Sequence, residues 1–255
     1  MVIRAKKLLA AVLGTVLIVL GVLFLLYGLF GMEKNENLPR NRADTQAEVS
    51  APVRQIDPTR PMLALTFDDG PYGPVDLRIL DALEAVGGRA TFFIVGSRID
   101  GREETLKRIA ASGCELGNHT YDHIMLKGLS ETEIREQLSK NDQKIFEVTG
   151  RHTTVLRPPG GAYDNTLYAV LQTPAVLWTI DTMDWSHQNK NTTVQRVLDH
   201  AEDGDIILMH DLFKPTADAV EELVPALCER GFQLVTVSEL LAYRDNTDGV
   251  LQINS

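Results

Sequence analysis

Met62-Leu-Ala-Leu-Thr-Phe-Asp68-Asp69-Gly70 decides the fold: an apolar, β-prone run halts at two adjacent carboxylates and a glycine. Six more short β-prone runs follow, at 90–95, 115–117, 154–156, 175–180, 205–209 and 232–235. Amphipathic helical stretches separate them. Leu77, Leu80, Leu83 and Val86 mark one helix, and Leu106, Ile109 and Ala110 mark another. A third starts at Ser130, an N-cap with Glu133 three residues on, and runs to Val148. Later helices are expected over 192–201, 217–229 and 238–242. Such alternation predicts a parallel α/β sheet with right-handed crossovers. Seven units suit a distorted (β/α)7-type barrel, and an open doubly wound sheet is the second choice.

Polar residues then recur at one place in each unit. Asp68 and Asp69 follow the first run, His119 the third, Arg157 the fourth, Asp181 and Asp184 the fifth, and His210 the sixth. Active sites of parallel α/β folds are built at the carboxyl ends of strands. The pattern therefore gathers these residues at one rim.

His119 and His123 stand four residues apart, a spacing that lets a single helical turn offer both imidazoles to one metal. Asp69 completes a two-histidine, one-carboxylate set with open positions for water and substrate. Asp68 is left free as a base for water whose pKa the metal has lowered. Out of context, Asp-Asp-Gly reads as a turn with an Asx hydrogen bond.

Arg157-Pro-Pro-Gly160-Gly161 is stiff and then flexible. Arg157 is placed to pair with Asp68, and the Gly160 N–H to meet a developing oxyanion. Trp178, Asp181, Asp184 and Trp185 form an acid–aromatic cluster. Core packing suits Trp178. His210 ends an apolar strand and serves as general acid when a carboxylate such as Asp184 tunes it.

The ends and the composition bound the rest. Basic Arg4, Lys6 and Lys7 precede an uncharged run over 8–30. As a helix it reaches roughly 34 Å, against about 30 Å of bilayer core. With no small-residue cleavage pattern, it reads as an uncleaved transmembrane signal anchor. The basic segment 1–7 then stays cytoplasmic, and the catalytic part is extracytoplasmic on a single-pass membrane protein. A polar, proline-broken linker covers 31–60, the catalytic domain 61–245 and a tail 246–255. The net charge of −10 disfavours nucleic acid as a partner. Cys114 and Cys228 read as two small, partly buried residues, with their pairing left open.

The ordered set Thr66-Phe67-Asp68-Asp69-Gly70, His119-Thr-x-x-His123, Arg157-Pro-Pro, Asp181-x-x-Asp184-Trp185 and Leu208-Met209-His210 resembles the polysaccharide deacetylase family. These are the NodB-type carbohydrate esterases of family 4 type. The resemblance spans the whole expected domain. It implies a distorted NodB-like barrel, a divalent metal (zinc first, with cobalt, nickel or manganese acceptable) and removal of acetyl groups from sugars. It implies Asp68 as base, Asp69, His119 and His123 as ligands, Arg157 positioning Asp68, and Asp184 supporting His210 as acid. Trp185 and Leu208 would wall an acetyl pocket. Many members carry a tyrosine where this chain has Gly160, so a backbone amide persists there but the groove is wider. The expected substrate is an N-acetylglucosamine-type residue of a cell-surface polysaccharide such as peptidoglycan. The alternatives are a silent glycan-binding or partner-binding domain, or the same chemistry on an O-acetyl ester or non-sugar amide.

Overall fold

Every residue of β1 (Met62–Asp68) is buried, and the other strands assemble around it. In the computed structural model, residues 54–244 and 250–251 are described. The 8–30 run, most of the linker and most of the tail lie outside them. Among the described residues, no helix is long and apolar enough to cross a membrane.

The remaining strands are β2 (Thr91–Ile94), β3 (Glu115–Asn118), β4 (Val155–Leu156), β5 (Ala175–Val176), β6 (Ile180–Asp181), β7 (Ile206–His210), β8 (Gln233–Leu234) and β9 (Val250–Leu251). The sheet order is β6-β7-β1-β2-β3-β4-β5-β9, with β8 paired to β1. All pairs are parallel except β5 with β9. Because β5 and β6 belong to one stretch, 175–181, the order runs from β1 to β5 and then through β6 and β7 back to β1. A doubly wound sheet reverses its order part-way. This one does not, so the distorted barrel stands and the open sheet is set aside.

Two strands differ from expectation. The fifth run is split, because Leu177 and Trp178 leave the ladder, whereas Thr179 N already donates to Ile206 O of β7 at 2.9 Å. The Arg157 guanidinium fills the break, donating to Val176 O at 3.2 Å and Leu177 O at 2.7 Å. The last run contributes only β8, which pairs with Met62 and Leu63 at the end of β1 remote from Asp68.

The crossover helices hold the strands at register. Helix Glu131–Thr149 begins as expected: Ser130 Oγ accepts from Glu133 N, the Glu133 carboxylate accepts from Ser130 N, and Gly150 closes the helix at φ 70°. Helix Pro74–Ala85 is rotated from the expected face. Leu77 and Val86 are 43% and 39% exposed, whereas Asp76, Ile79, Leu80 and Leu83 are buried. That set is an i, i+3, i+4, i+7 stripe whose first member is an acid, which a count of apolar residues alone passes over. Cys114 is buried and Cys228 partly buried, both as free thiols.

Candidate active site

The β1–β7 register sets Asp68 beside His210 and Thr66 beside Leu208. Asp69 leaves β1 with φ 82°, a backbone state few non-glycine residues adopt. Its Oδ1 stands 3.0 Å from His123 Nε2 and 3.9 Å from His119 Nε2. The two histidines are not on a helical turn, contrary to expectation. They bracket a loop in which Thr120 (φ 63°) and His123 (φ 55°) are left-handed. Asn118 Oδ1 accepts from Thr120 N, and Gln137 Oε1 accepts from the N–H groups of Tyr121 and Asp122. Those bonds, rather than helical geometry, bring the rings to 5.1 Å.

This donor set suits a divalent cation. His119 Nδ1 lies 2.8 Å from the Arg157 carbonyl, to which it must donate, so Nε2 presents a lone pair. Asp69 Oδ1 is buried and has no aligned hydrogen-bond donor despite the nearness of His123. One ligand atom from each of Asp69, His119 and His123 lies within 4.8 Å of the others. Burial holds the His119 imidazole below its ordinary range against the pull of Asp68 and Asp69, so it is neutral as a ligand must be. Burial pushes Asp69 upward, but the His123 ring and the charge of His119, His123 and Arg98 outweigh it, setting the carboxyl at about 2. The carboxylate is therefore available across the physiological range.

Asp68 is held differently. Arg157 Nη1 donates to Asp68 Oδ1 at 2.7 Å and to Thr66 Oγ1 at 2.8 Å. Arg157 is fully buried, with its guanidinium carbon 4.1 Å above the Phe93 ring. Asp68 Oδ2 lies 3.7 Å from His119 Nε2, facing the ligand set. One carboxylate oxygen is thus clamped and the other is left to accept a proton.

His210 Nδ1 and Asp184 Oδ1 are 2.8 Å apart, and Asp184 Oδ2 accepts from His210 N and Thr216 Oγ1. Trp185 N donates to Asp184 Oδ1 as well. Burial pushes Asp184 up, but the bonds from His210 and Thr216 outweigh it and leave the carboxyl below its ordinary range. Burial likewise lowers His210, yet the Asp184 bond and charge win and raise it above a free imidazole. The pair favours the protonated ring and leaves Nε2 unclaimed.

The remaining candidates rim this centre. Gly160 lies in the turn Pro159–Gly161 at φ 61° and is exposed. An added Cβ there would meet Met125 Cε at 3.5 Å, so Met125 takes part of the space beside the missing side chain. Trp185 is half exposed and Leu208 buried. Asp181 serves its own turn, its Oδ1 accepting from Met183 N, and Trp178 packs in the core. Sequence reading passed over Thr66 and Thr216. Thr66 was legible, since it shares a strand face with Asp68 two residues on. Thr216 carried no signal, because only the packing of helix Lys214–Glu229 brings it to Asp184.

A model of the polysaccharide deacetylase family matches residues 55–177. The peptidoglycan-N-acetylmuramic acid deacetylase PdaC of Bacillus subtilis is 39% identical over 208 residues, covering 81% of this chain and 44% of PdaC. The solved structure of the B. subtilis peptidoglycan deacetylase PdaC superposes with a TM-score of 0.72 at 40% identity, over 74% of this chain and 94% of that one. The chain belongs to the polysaccharide deacetylase family. Family membership leaves activity to the site itself: BA3943 of Bacillus anthracis, described as a CE4 family pseudoenzyme, superposes with a TM-score of 0.67 at 31% identity, over 72% of this chain and 66% of that one. The chain also spans less than half the length of PdaC. Asp68, Asp69, His119, His123, Asp184 and His210, taken from motifs far apart in the chain, are brought together at one rim.

Proposed function

We propose that this domain hydrolyses the acetamide of N-acetylated amino-sugar residues in peptidoglycan, releasing acetate. The observation that carries the reading is the meeting of a clamped carboxylate, a three-donor cation set and a carboxylate-supported imidazole at one rim. Asp69, His119 and His123 would hold the ion, with zinc first among the choices. Such an ion lowers the pKa of water and polarises a carbonyl when bound. Asp68 takes the proton of the attacking water through its free oxygen. The water oxygen bonds to the acetyl carbon, and the Gly160 N–H donates to the oxygen that gains charge. His210 then gives its proton to the sugar nitrogen as the C–N bond breaks, leaving acetate and an amine. The 8–30 run supports an anchor that holds the domain against the wall from outside the membrane.

The test is acetate release by the full chain, zinc-loaded, from peptidoglycan and from N-acetylglucosamine oligomers side by side. Release from peptidoglycan supports the reading. A protein that binds the polymer, carries metal and releases nothing overturns it in favour of a catalytically silent glycan-binding domain.

Two further results are expected. His123→Ala weakens zinc affinity at least about 100-fold, beyond what loss of a supporting partner costs, as read by competition with a chelating dye. An unchanged affinity would remove His123 from the ligand set. Asp184→Asn moves the alkaline limb of the pH–rate profile to lower pH, because the support that raises His210 is gone. A group with raised pKa keeps its proton until pH climbs through that value, so the wild-type rate falls on the alkaline side and the variant's falls earlier. The plateau drops at least about 10-fold with it. A limb that stays in place would mean that His210 is not the acid.

A further inference from the structure

Directly behind the Asp68-Asp69-Gly70 turn lie two carboxyl groups that the reaction does not use. Asp76 and Asp211 are neighbours, and both are fully buried. Neighbouring buried carboxyl groups whose oxygens lack donors are costly unless one of the pair carries a proton. Hydrogen bonding says which. Asp76 Oδ2 accepts from Tyr72 N at 2.8 Å and Gly73 N at 2.6 Å, at the start of helix Pro74–Ala85. Two N–H donors and the helix N-terminus favour an anion there. Neither oxygen of Asp211 has a donor, and Asp76 Oδ1 is also free of one. An Asp211 O–H donated to Asp76 Oδ1 satisfies both groups at once. A carboxylate at Asp211 would satisfy neither and would stand against the charge of Asp76.

The pair is also built into the turn. A Cβ on Gly70 would fall 2.1 Å from Asp211 Oδ2, so this carboxyl lies flat against the Gly70 backbone. Asp211 N lies 3.3 Å from the Asp68 carbonyl, to which it donates, and Asp211 follows His210 directly. We propose that Asp211 is a positioning residue: as a neutral carboxylic acid bonded to Asp76, it seats the turn that carries Asp68 and Asp69. Burial and the charges of Asp76, Asp69 and Asp68 all raise the Asp211 pKa, in keeping with this assignment. The inference leans on the deacetylase reading for its kinetic test alone.

Wild-type full chain, Asp211→Asn and Asp211→Ala decide it. The infrared difference spectrum between wild type and Asp211→Asn is expected to show a protonated-carboxyl C=O band at neutral pH, shifted in D2O. Absence of that band overturns the proposal whether or not the protein releases acetate. In kinetics, Asp211→Asn, which mimics the neutral acid, retains kcat within about 3-fold, since its amide can still donate to Asp76. Asp211→Ala, with circular dichroism matching wild type, loses about 100-fold in kcat with little change in KM, the cost of shifting a reacting group by about an ångström. Equal losses in the two variants would mean that Asp211 works as an anion, and the proposal fails. Wild-type protein that shows the band but releases no acetate sinks the deacetylase reading and leaves the proton assignment standing.

Discussion

Asp68→Asn lowers acetate release about 1,000-fold or more while metal content stays at the wild-type level. The amide matches the carboxylate in size, and its oxygen can still accept from Arg157 Nη1. What it lacks is a basic oxygen toward the ligand set, where Asp68 Oδ2 now stands 3.7 Å from His119 Nε2. A positioned base contributes on the order of 100- to 10,000-fold, and here it acts on the first proton moved. Some stability goes too, because buried Arg157 loses its counter-charge. Its bonds to Thr66, Val176 and Leu177 remain, so the fold survives. Acetate assay, atomic emission and a thermal melt on the same preparation separate the three effects. Activity within a few-fold of wild type would remove Asp68 from the reaction.

Arg157→Met has the other large effect, and it falls on the fold. The guanidinium is fully buried against Phe93 and supplies hydrogen bonds to four acceptors: Asp68 Oδ1, Thr66 Oγ1, Val176 O and Leu177 O. Breaking a buried ion pair by removing one partner costs about 3–5 kcal/mol. Each carbonyl left dry adds about 1–3 kcal/mol. Against a typical domain stability of about 5–15 kcal/mol, most of the margin is gone. The urea midpoint is expected to fall sharply, with loss of acetate release even below it. A shift worth less than about 1 kcal/mol would show that water or a neighbour takes over these partners.

These two residues also mark where the sequence was legible. Asp68, Asp69, His119, Arg157 and His210 each sit at or just past the end of a β-prone run, and strand ends in a parallel fold converge. The alternation led to the parallel barrel, in which β1, β2, β3 and β4 are successive neighbours. The break between β5 and β6 did not, because nothing in Ala-Val-Leu-Trp-Thr-Ile-Asp says that a side chain from β4's end will replace ladder bonds. The helical turn expected for His119 and His123 failed for a related reason. An i, i+4 spacing is shared by helices and by loops pinned from outside, and Gln137, on another element, does the pinning. Asp76 and Asp211 were hidden more deeply still. An acid in a buried stripe is invisible to a reading that looks for apolar period, and its partner lies far away in sequence.

The gap that Arg157 fills carries a consequence for descent. The side chain that holds Asp68 also bonds the carbonyls at the break between β5 and β6, so selection on foldedness retains it even where selection on turnover has lapsed. His123 has no such second duty: its side chain is 38% exposed and its loss opens no core. A change at His123 can therefore take away one donor of the cation set while the fold stands, whereas a change at Arg157 strikes site and scaffold together.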